Sequence, residues 1–259
     1  MENRALNKQP LRVLFITQDD PFYIWNFFNE FFKQTARNIK IVAVVNCPSF
    51  GNKSKIALLR RMLRFYGMRD FCRMLFRYIA AKLRKQTVRN LCEKYGIPYL
   101  NENNINGPGF IAYCREKEVD VIQSVAAPIV FKSRLLNAAR WGCLNIHHAK
   151  LPQYRGMMPN FWQMLNDEPT VWITIHRMDK ALDRGHIILQ NEIPLQPAES
   201  LDSLIKRTKR LGSHCVAEAF SLIRSGKVKL LEVTGAGSYY SFPASQDIRN
   251  FRKKGKRLL

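Results

Sequence analysis

The sequence has no pair of cysteines at CxxC spacing; Cys47, Cys72, Cys92, Cys114, Cys143 and Cys215 stand apart. Such spacing argues against a zinc ribbon and a dithiol redox centre, and isolated cysteines in apolar runs read as reduced core residues. No apolar run approaches the ~20 residues that cross a bilayer. The opening "MENRALNKQPLR" is polar rather than secretory in pattern, so a soluble, cytoplasmic protein is expected. There is no GxGxxG after the first strand candidate, no GxxxxGKS/T and no GxSxG. A nicotinamide or flavin dinucleotide site there, a P-loop and a serine-hydrolase elbow are therefore not expected.

Acid is also scarce: 20 Asp and Glu stand against 42 Lys and Arg, for a net charge of +22. The imbalance is local. Residues 53–85 hold eleven Lys or Arg and a single acid, Asp70, while "RNFRKKGKRLL" at 249–259 holds six cations and no acid. Such blocks suit anionic partners: tRNA, a lipid surface or a lipid-linked glycan, at 53–85 and 249–257. Within the first block, Arg69, Arg73 and Arg77 are spaced i, i+4, i+8 as one helical stripe. Phe71, Met74, Leu75 and Tyr78 line another face.

What remains is ordinary and foldable. With 259 residues and 46% hydrophobic composition, the chain can bury the core of one large domain, or of one domain and a small appendage. "LRVLFIT" (11–17) and "IKIVAVVN" (39–46) are apolar, β-branched strands, separated by a helical pattern at 21–36. Helices are expected at 87–96, closed by Gly96, at "GPGFIAYCREKEV", at "SRLLNAARWG", at "PNFWQMLNDE" and at 200–225. Strands are expected at "IPYL", 120–127, "CLNIHH", 171–178 and "HIILQNEIPL", with a short strand and a basic tail over 226–259. Apolar strands alternating with helices predict an α/β fold: a Rossmann-like, mostly parallel sheet with helices on both faces and a short basic C-terminal extension.

In such sheets ligands bind beyond the carboxyl ends of the strands. There the chain reads "NIHHAKLPQYRGMMP" (145–159). Neighbours on a strand point to opposite faces, so His147 and His148 cannot share a metal, and none is expected. Asn145 lies on the same side as His147. An amide can donate to a developing oxyanion, and an imidazole moves protons near neutral pH. A carboxylate to hold the imidazole is offered by Asp179 or Asp183 in "DKALDRG", expected at the neighbouring strand's mouth.

The run "NIHHAKLPQYRGMMPNFWQMLNDE…ITIHRMDKALDRGHII" resembles the signature of the folate-dependent formyltransferases. That family includes methionyl-tRNA, glycinamide ribonucleotide and sugar N-formyltransferases. Its pattern is roughly N-x-H-x-S-L-L-P-x-Y-R-G-x-x-P, then G-V-T-I-H, then D-x-G-x-I-I. The likeness is strong over about 120–195 and weaker upstream. It implies a catalytic domain at 10–228, with a basic helical insertion at 53–85 and a C-terminal extension at 229–259. It also implies that Asn145, His147 and Asp183 are catalytic and that 10-formyltetrahydrofolate is the donor, with no metal. The implied folate contacts are Val125, Ala126, Ala127, Pro128, Met178 and Asp179. Asp19, Asp20, Tyr154, Arg155 and Gly156 are expected on the acceptor side.

Three residues depart from the pattern: Ala149 and Lys150 replace Ser and Leu, and Trp172 stands at a Gly position. The turn "TQDDPF" carries two acids where the glycinamide ribonucleotide enzymes grip phosphate with a Gly-rich turn, which disfavours a phosphate-bearing acceptor. The resemblance thus points first to a small-molecule amine, such as an amino sugar. A tRNA acceptor is an alternative, although residues 226–259 are too few for the C-terminal OB-like barrel of the tRNA enzymes. Hydrolysis of the formyl-folate and a non-enzymatic basic binding module are the other readings. Nothing in the sequence settles the oligomeric state.

Overall fold

The computed structural model describes residues 9–34, 38–47 and 55–259. The polar opening 1–8, the last residues of the helix expected at 21–36 and positions 53–54 of the basic block lie outside the described residues. The first half contains β1 (Leu11–Thr17), α1 (Ile24–Gln34), β2 (Ile39–Asn46), α2 (Lys55–Leu83), α3 (Val88–Lys94), β3 (Tyr99–Asn101), α4 (Pro108–Glu116) and β4 (Val121–Val125). The second contains α5 (Ser133–Leu136), β5 (Cys143–His147), β6 (Arg155–Gly156), α6 (Pro159–Leu165), β7 (Thr170–Arg177), β8 (Ile187–Pro194), α7 (Leu201–Arg224), β9 (Tyr239–Tyr240) and α8 (Ser245–Lys253).

The long strands form one seven-stranded sheet in the order β3-β2-β1-β4-β5-β7-β8. The pairs from β3 to β5 are parallel. Every residue of β4 is buried, as expected for a strand covered on both faces. The strand order reverses direction at β1 and β4, the point where open α/β sheets leave a crevice. β7 and β8, by contrast, run antiparallel to their neighbours.

α1 shows why the helical layer adheres. Ile24, Phe27, Phe28, Phe31 and Phe32 fall at i, i+3, i+4, i+7 and i+8, and all are buried. Phe15 of β1 meets Phe27, Phe28 and Phe31 edge-on, and Phe220 of α7 closes the cluster at 6.2 Å. Each buried Phe contributes about 1.5–3 kcal/mol by leaving water. Ser200 caps α7 through the Ser203 amide, and Thr87 caps α3 through that of Asn90.

The C-terminal stretch holds more structure than a short strand and a tail. α8 is a helix in which Ile248 and Phe251, at i, i+3, are buried, and Phe251 stacks on Phe161 at 4.7 Å. The Asp247 carboxylate accepts from the Ala244 amide at its first turn. The dense basic residues around these two apolar positions masked the helical period in the sequence. β9 pairs in parallel with β6, and the Arg257 and Leu258 carbonyls accept from the Leu201 and Asp202 amides. The stretch 229–259 is therefore tied to the main core at several points.

Candidate active site

On β5 the side chains alternate. Leu144 and Ile146 enter the cluster shared with α1 and α7, so Asn145 and His147 point to the opposite face. β7 places His176 opposite Asn145 and Thr174 opposite His147. Four polar side chains of two adjacent strands therefore share one face. The loop after β5 crosses it: His147 Nε2 donates to the Tyr154 carbonyl at 2.8 Å, and the Thr174 hydroxyl donates to the Ala149 carbonyl at 2.6 Å.

Asp183 arrives by a route different from the one expected. Because β7 is antiparallel, its carboxyl end lies beside Leu144, at the start of β5 rather than at its mouth. The Met178 amide donates to the Cys143 carbonyl there. The loop 178–186 then folds back onto β7. Gly185 makes the return possible: a Cβ at that position would lie 1.6 Å from the Arg177 carbonyl oxygen. Asp183, at φ 51°, is carried over the face with its carboxylate buried.

Its two oxygens divide the work. Oδ2 accepts from the Gly156 amide at 3.0 Å and lies 3.8 Å from His147 Nδ1; Oδ1 lies 3.7 Å from His176 Nε2. A carbonyl only accepts, so His147 carries its hydrogen on Nε2, toward Tyr154, and presents Nδ1 to Asp183. By the same logic His176 donates from Nδ1 to the Arg177 carbonyl at 3.1 Å, and its Nε2 accepts from the Asn145 amide at 3.3 Å. Burial pushes His176 down to about 4; Asp183 opposes that shift and His147 adds to it. Near neutral pH the ring is an uncharged acceptor that fixes the Asn145 amide.

The structure thus brings Asn145, His147 and Asp183 together, and adds His176. Nothing in the sequence around "ITIH" (173–176) marks His176 as a site residue. Its signal is strand pairing: an antiparallel β7 sets it against Asn145. His148 faces away, toward Gly212 of α7, and neither ring nitrogen has a hydrogen-bond partner. Burial first, then the nearby charges of Lys209 and His147, hold it well below the ordinary histidine range.

The other expected residues divide by what they touch. Gly156 serves through its amide and Tyr154 through its carbonyl, while the Tyr154 hydroxyl donates to Glu168 and its ring stacks on Tyr240 at 5.3 Å. The Arg155 guanidinium turns to the Ala236 carbonyl. Val125 ends β4 and gives its carbonyl to the Thr17 hydroxyl. Ala126 and Pro128 are exposed where the chain leaves β4, and Ala127 and Met178 both pack against the apolar cluster on that side of the sheet. Asp179 is exposed. Asp19 accepts from the Val88 amide at the start of α3, and Asp20 accepts from the Phe22 and Tyr23 amides just before α1, so both acids serve as caps. Asp20 also faces Lys209, whose ammonium burial pushes down to about 8 against the pull of that carboxylate.

Two departures from the expected pattern meet each other: the Lys150 ammonium sits 4.4 Å above the Trp172 ring. Among the described residues no cluster of His, Cys, Asp and Glu is arranged to hold a metal, and no helix is long and apolar enough to cross a membrane.

A family model described as formyl transferase matches residues 77–220, a span that contains all four polar groups of the site. Over 145 residues the chain is 34% identical to a methionyl-tRNA formyltransferase of Geobacter metallireducens, covering 56% of this chain and 47% of that protein. Over 160 residues it is 31% identical to the Thermotoga maritima protein of the same name, covering 62% and 51%. The chain spans about half the length of these curated relatives. Glycinamide ribonucleotide transformylase 1 from Symbiobacterium toebii superposes with a TM-score of 0.60 at 15% identity, over 89% of this chain and 99% of that one. A 4-N formyltransferase from Francisella tularensis gives 0.54 at 20% identity, over 88% and 76%. At these identities the likeness is one of fold.

Proposed function

This chain belongs to the formyl transferase family, and on that premise we propose that it moves the formyl group of 10-formyltetrahydrofolate onto the amine of a small molecule, with an amino sugar as the leading acceptor class. One observation carries the reading. Asn145 and His147 from one strand and Asp183 from a returning loop converge on one face, with a 3.8 Å gap between His147 Nδ1 and the Asp183 carboxylate.

That gap is too long for a direct hydrogen bond, and a polar atom seated beside it can touch both groups. His147 Nε2 is held by Tyr154, which leaves Nδ1 for chemistry. When an amine attacks the formyl carbon, negative charge gathers on the formyl oxygen. Asn145 has a second amide hydrogen to donate to it, and a protonated His147 ring donates from Nδ1. Asp183 balances the imidazolium charge and takes up the proton that the attacking nitrogen must lose; as the adduct collapses, the bond from the formyl carbon to N10 of the folate breaks, that nitrogen receives the proton in turn, and tetrahydrofolate leaves. His176 keeps the Asn145 amide in orientation. The donor's pterin is assigned to the exposed backbone of Ala126–Pro128 and the 178–179 turn. The acceptor is assigned to the side of Asp20 and Tyr154–Gly156. The two acids after β1 put negative charge where a phosphate would need donors, and the amides beside them already donate to those acids, which supports an acceptor without a phosphate at that turn.

Transfer to methionyl-tRNA is the second reading, favoured by the names of the relatives at 31–34% identity. The test is to supply 10-formyltetrahydrofolate with amino sugars, other small amines or charged initiator tRNA, and to follow tetrahydrofolate release. The proposal expects release that depends on a small amine. Release only with charged tRNA moves the assignment to the second reading, and release without any amine makes the protein a hydrolase.

A further inference from the structure

Described parts of the two basic blocks meet, from Tyr66 to Arg73 on one side and from Arg252 to Leu259 on the other. The Arg252 guanidinium of α8 donates to the Tyr66 carbonyl of α2 across 186 residues of chain. Between α2 and the C-terminal segment lies a cavity of about 590 Å³, lined by Arg69, Arg73, Arg252, Lys256 and Arg257, with Asp70 its one acidic side chain and Leu259 also on its wall.

α2 itself is apolar on both sides. One side is anchored: Phe65, Met74 and Ala81 are buried, Arg61 lies 3.6 Å above the Phe242 ring, and Arg77 pairs with Asp202 at 3.1 Å. Beyond the kink at Gly67 the other side carries Met68, Cys72, Leu75, Phe76, Ile79 and Leu83, all exposed. At 100° per residue these six fall in an arc of roughly 100°. Met68, Phe76 and Leu83 are 66%, 73% and 81% exposed. A contiguous stripe of this size on a folded surface marks a contact. Arg69 and Arg73 border it on the cavity side and Lys82 on the other.

We propose that α2 docks on an anionic phospholipid bilayer, with the stripe from Met68 to Leu83 seated among the acyl chains and the arginine-lined cavity holding lipid headgroup phosphates. Helices that lie in a membrane interface combine these features: an apolar face, flanking cations and no spanning length. RNA fits less well. Bases stack on aromatic rings or guanidinium planes, whereas this stripe is mainly aliphatic and gains little from ribose or phosphate. A second copy of the chain fits less well too, because pairing this face with itself opposes two sets of cations. The proposal is independent of the acceptor assigned above.

The test is flotation of the full chain with vesicles of phosphatidylcholine alone and of phosphatidylcholine with about one third phosphatidylglycerol. Binding is expected to be at least ~10-fold stronger to the anionic vesicles. Phe76→Ser combined with Leu83→Ser is expected to weaken it by ~10-fold or more with an unchanged melting temperature, since both side chains are solvent-facing. Arg69→Glu with Arg73→Glu should weaken it as well. Three results would overturn the assignment. One is equal or absent binding to both vesicles. Another is binding that survives the serine pair, as for a purely electrostatic contact with tRNA. The third is a concentration-dependent dimer that the serine pair abolishes.

Discussion

Gly156 donates its backbone N–H to Asp183 Oδ2 at 3.0 Å, the same oxygen that faces His147. The position tolerates only glycine. Its φ is +94°, and a Cβ there would lie 2.2 Å from the Tyr240 carbonyl oxygen in β9. Gly156→Ala must displace either β6 or β9, and with it the amide that fixes the carboxylate. The expected loss of stability is about 1–3 kcal/mol, accompanied by a fall in turnover larger than the fraction unfolded explains. Urea denaturation alongside tetrahydrofolate release checks both. A variant that is destabilised yet fully active in its folded fraction would show that Gly156 matters for folding alone.

The groups proposed to be catalytic should act as a unit. His147→Ala and Asp183→Asn are each expected to lower kcat by ~10²–10⁴, with acceptor KM little changed. The double variant should be hardly worse than the poorer single one, because each group works on the same gap. Asn145→Ala removes a donor to the oxyanion and is expected to cost ~10²–10³ in kcat. Strictly additive losses for His147 and Asp183 would contradict a shared site.

Acid should destabilise the protein before its carboxylates titrate. His176 and His148 are both buried and both depressed: the first to about 4, the second well below its ordinary value. The unfolded chain takes up these protons near pH 6.5, and the folded chain does so only at lower pH. Stability is therefore at its full value above about pH 6.5 and is lost as pH falls toward 4, at up to ~1.4 kcal/mol per pH unit for each ring. His148 has no hydrogen-bond partner for either nitrogen. Replacing it with Leu should remove its share of the slope without touching the face that carries Asn145, His147 and Asp183. Melting curves from pH 7.5 to 4.5 provide the comparison, and equal slopes for the two proteins would refute a role for His148.

Much of the fold was legible because apolar periodicity and strand burial agree. β1, β2, β4 and the Phe-rich α1 announce themselves by composition, and the predicted mostly parallel sheet is the one observed. Asn145 and His147 were legible from their shared side of one strand. The direction of β7 was not, since nothing in "VWITIHRM" distinguishes a parallel strand from an antiparallel one. His176 was overlooked and the path of Asp183 misjudged for that reason. The contributions of Tyr154 and Gly156 run through backbone atoms, which side-chain chemistry does not reveal. Asp19 and Asp20 carry a role that the sequence does not reveal: Asp20 accepts from amides just before α1 and Asp19 from the first amide of α3. Of the arginine stripe, Arg77 differs from Arg69 and Arg73 in pairing with Asp202 of α7, a partner 125 residues away that helical spacing does not reveal.

That last pair fixes α2 to the rest of the molecule. Asp202, in the first turn of α7, accepts from Arg77 at 3.1 Å, Lys206 at 2.8 Å and the Tyr23 hydroxyl at 3.1 Å. Burial acts to raise its carboxyl, but the hydrogen bonds from Lys206 and Arg77 prevail and hold it below the ordinary value. Its contribution is thus present above about pH 4 and lost as pH falls through the depressed range. Asp202→Asn leaves Arg77 half-buried beside a neutral amide, an expected loss of about 1–3 kcal/mol. Since the partner lies on α2, the loss should also loosen that helix locally. Brief trypsin digestion is expected to cut within residues 60–85 faster in the variant than in the parent at equal global stability, matched by adjusting temperature. Cleavage at the same rate in both would place the anchor elsewhere, on Phe65 and the Arg61–Phe242 contact.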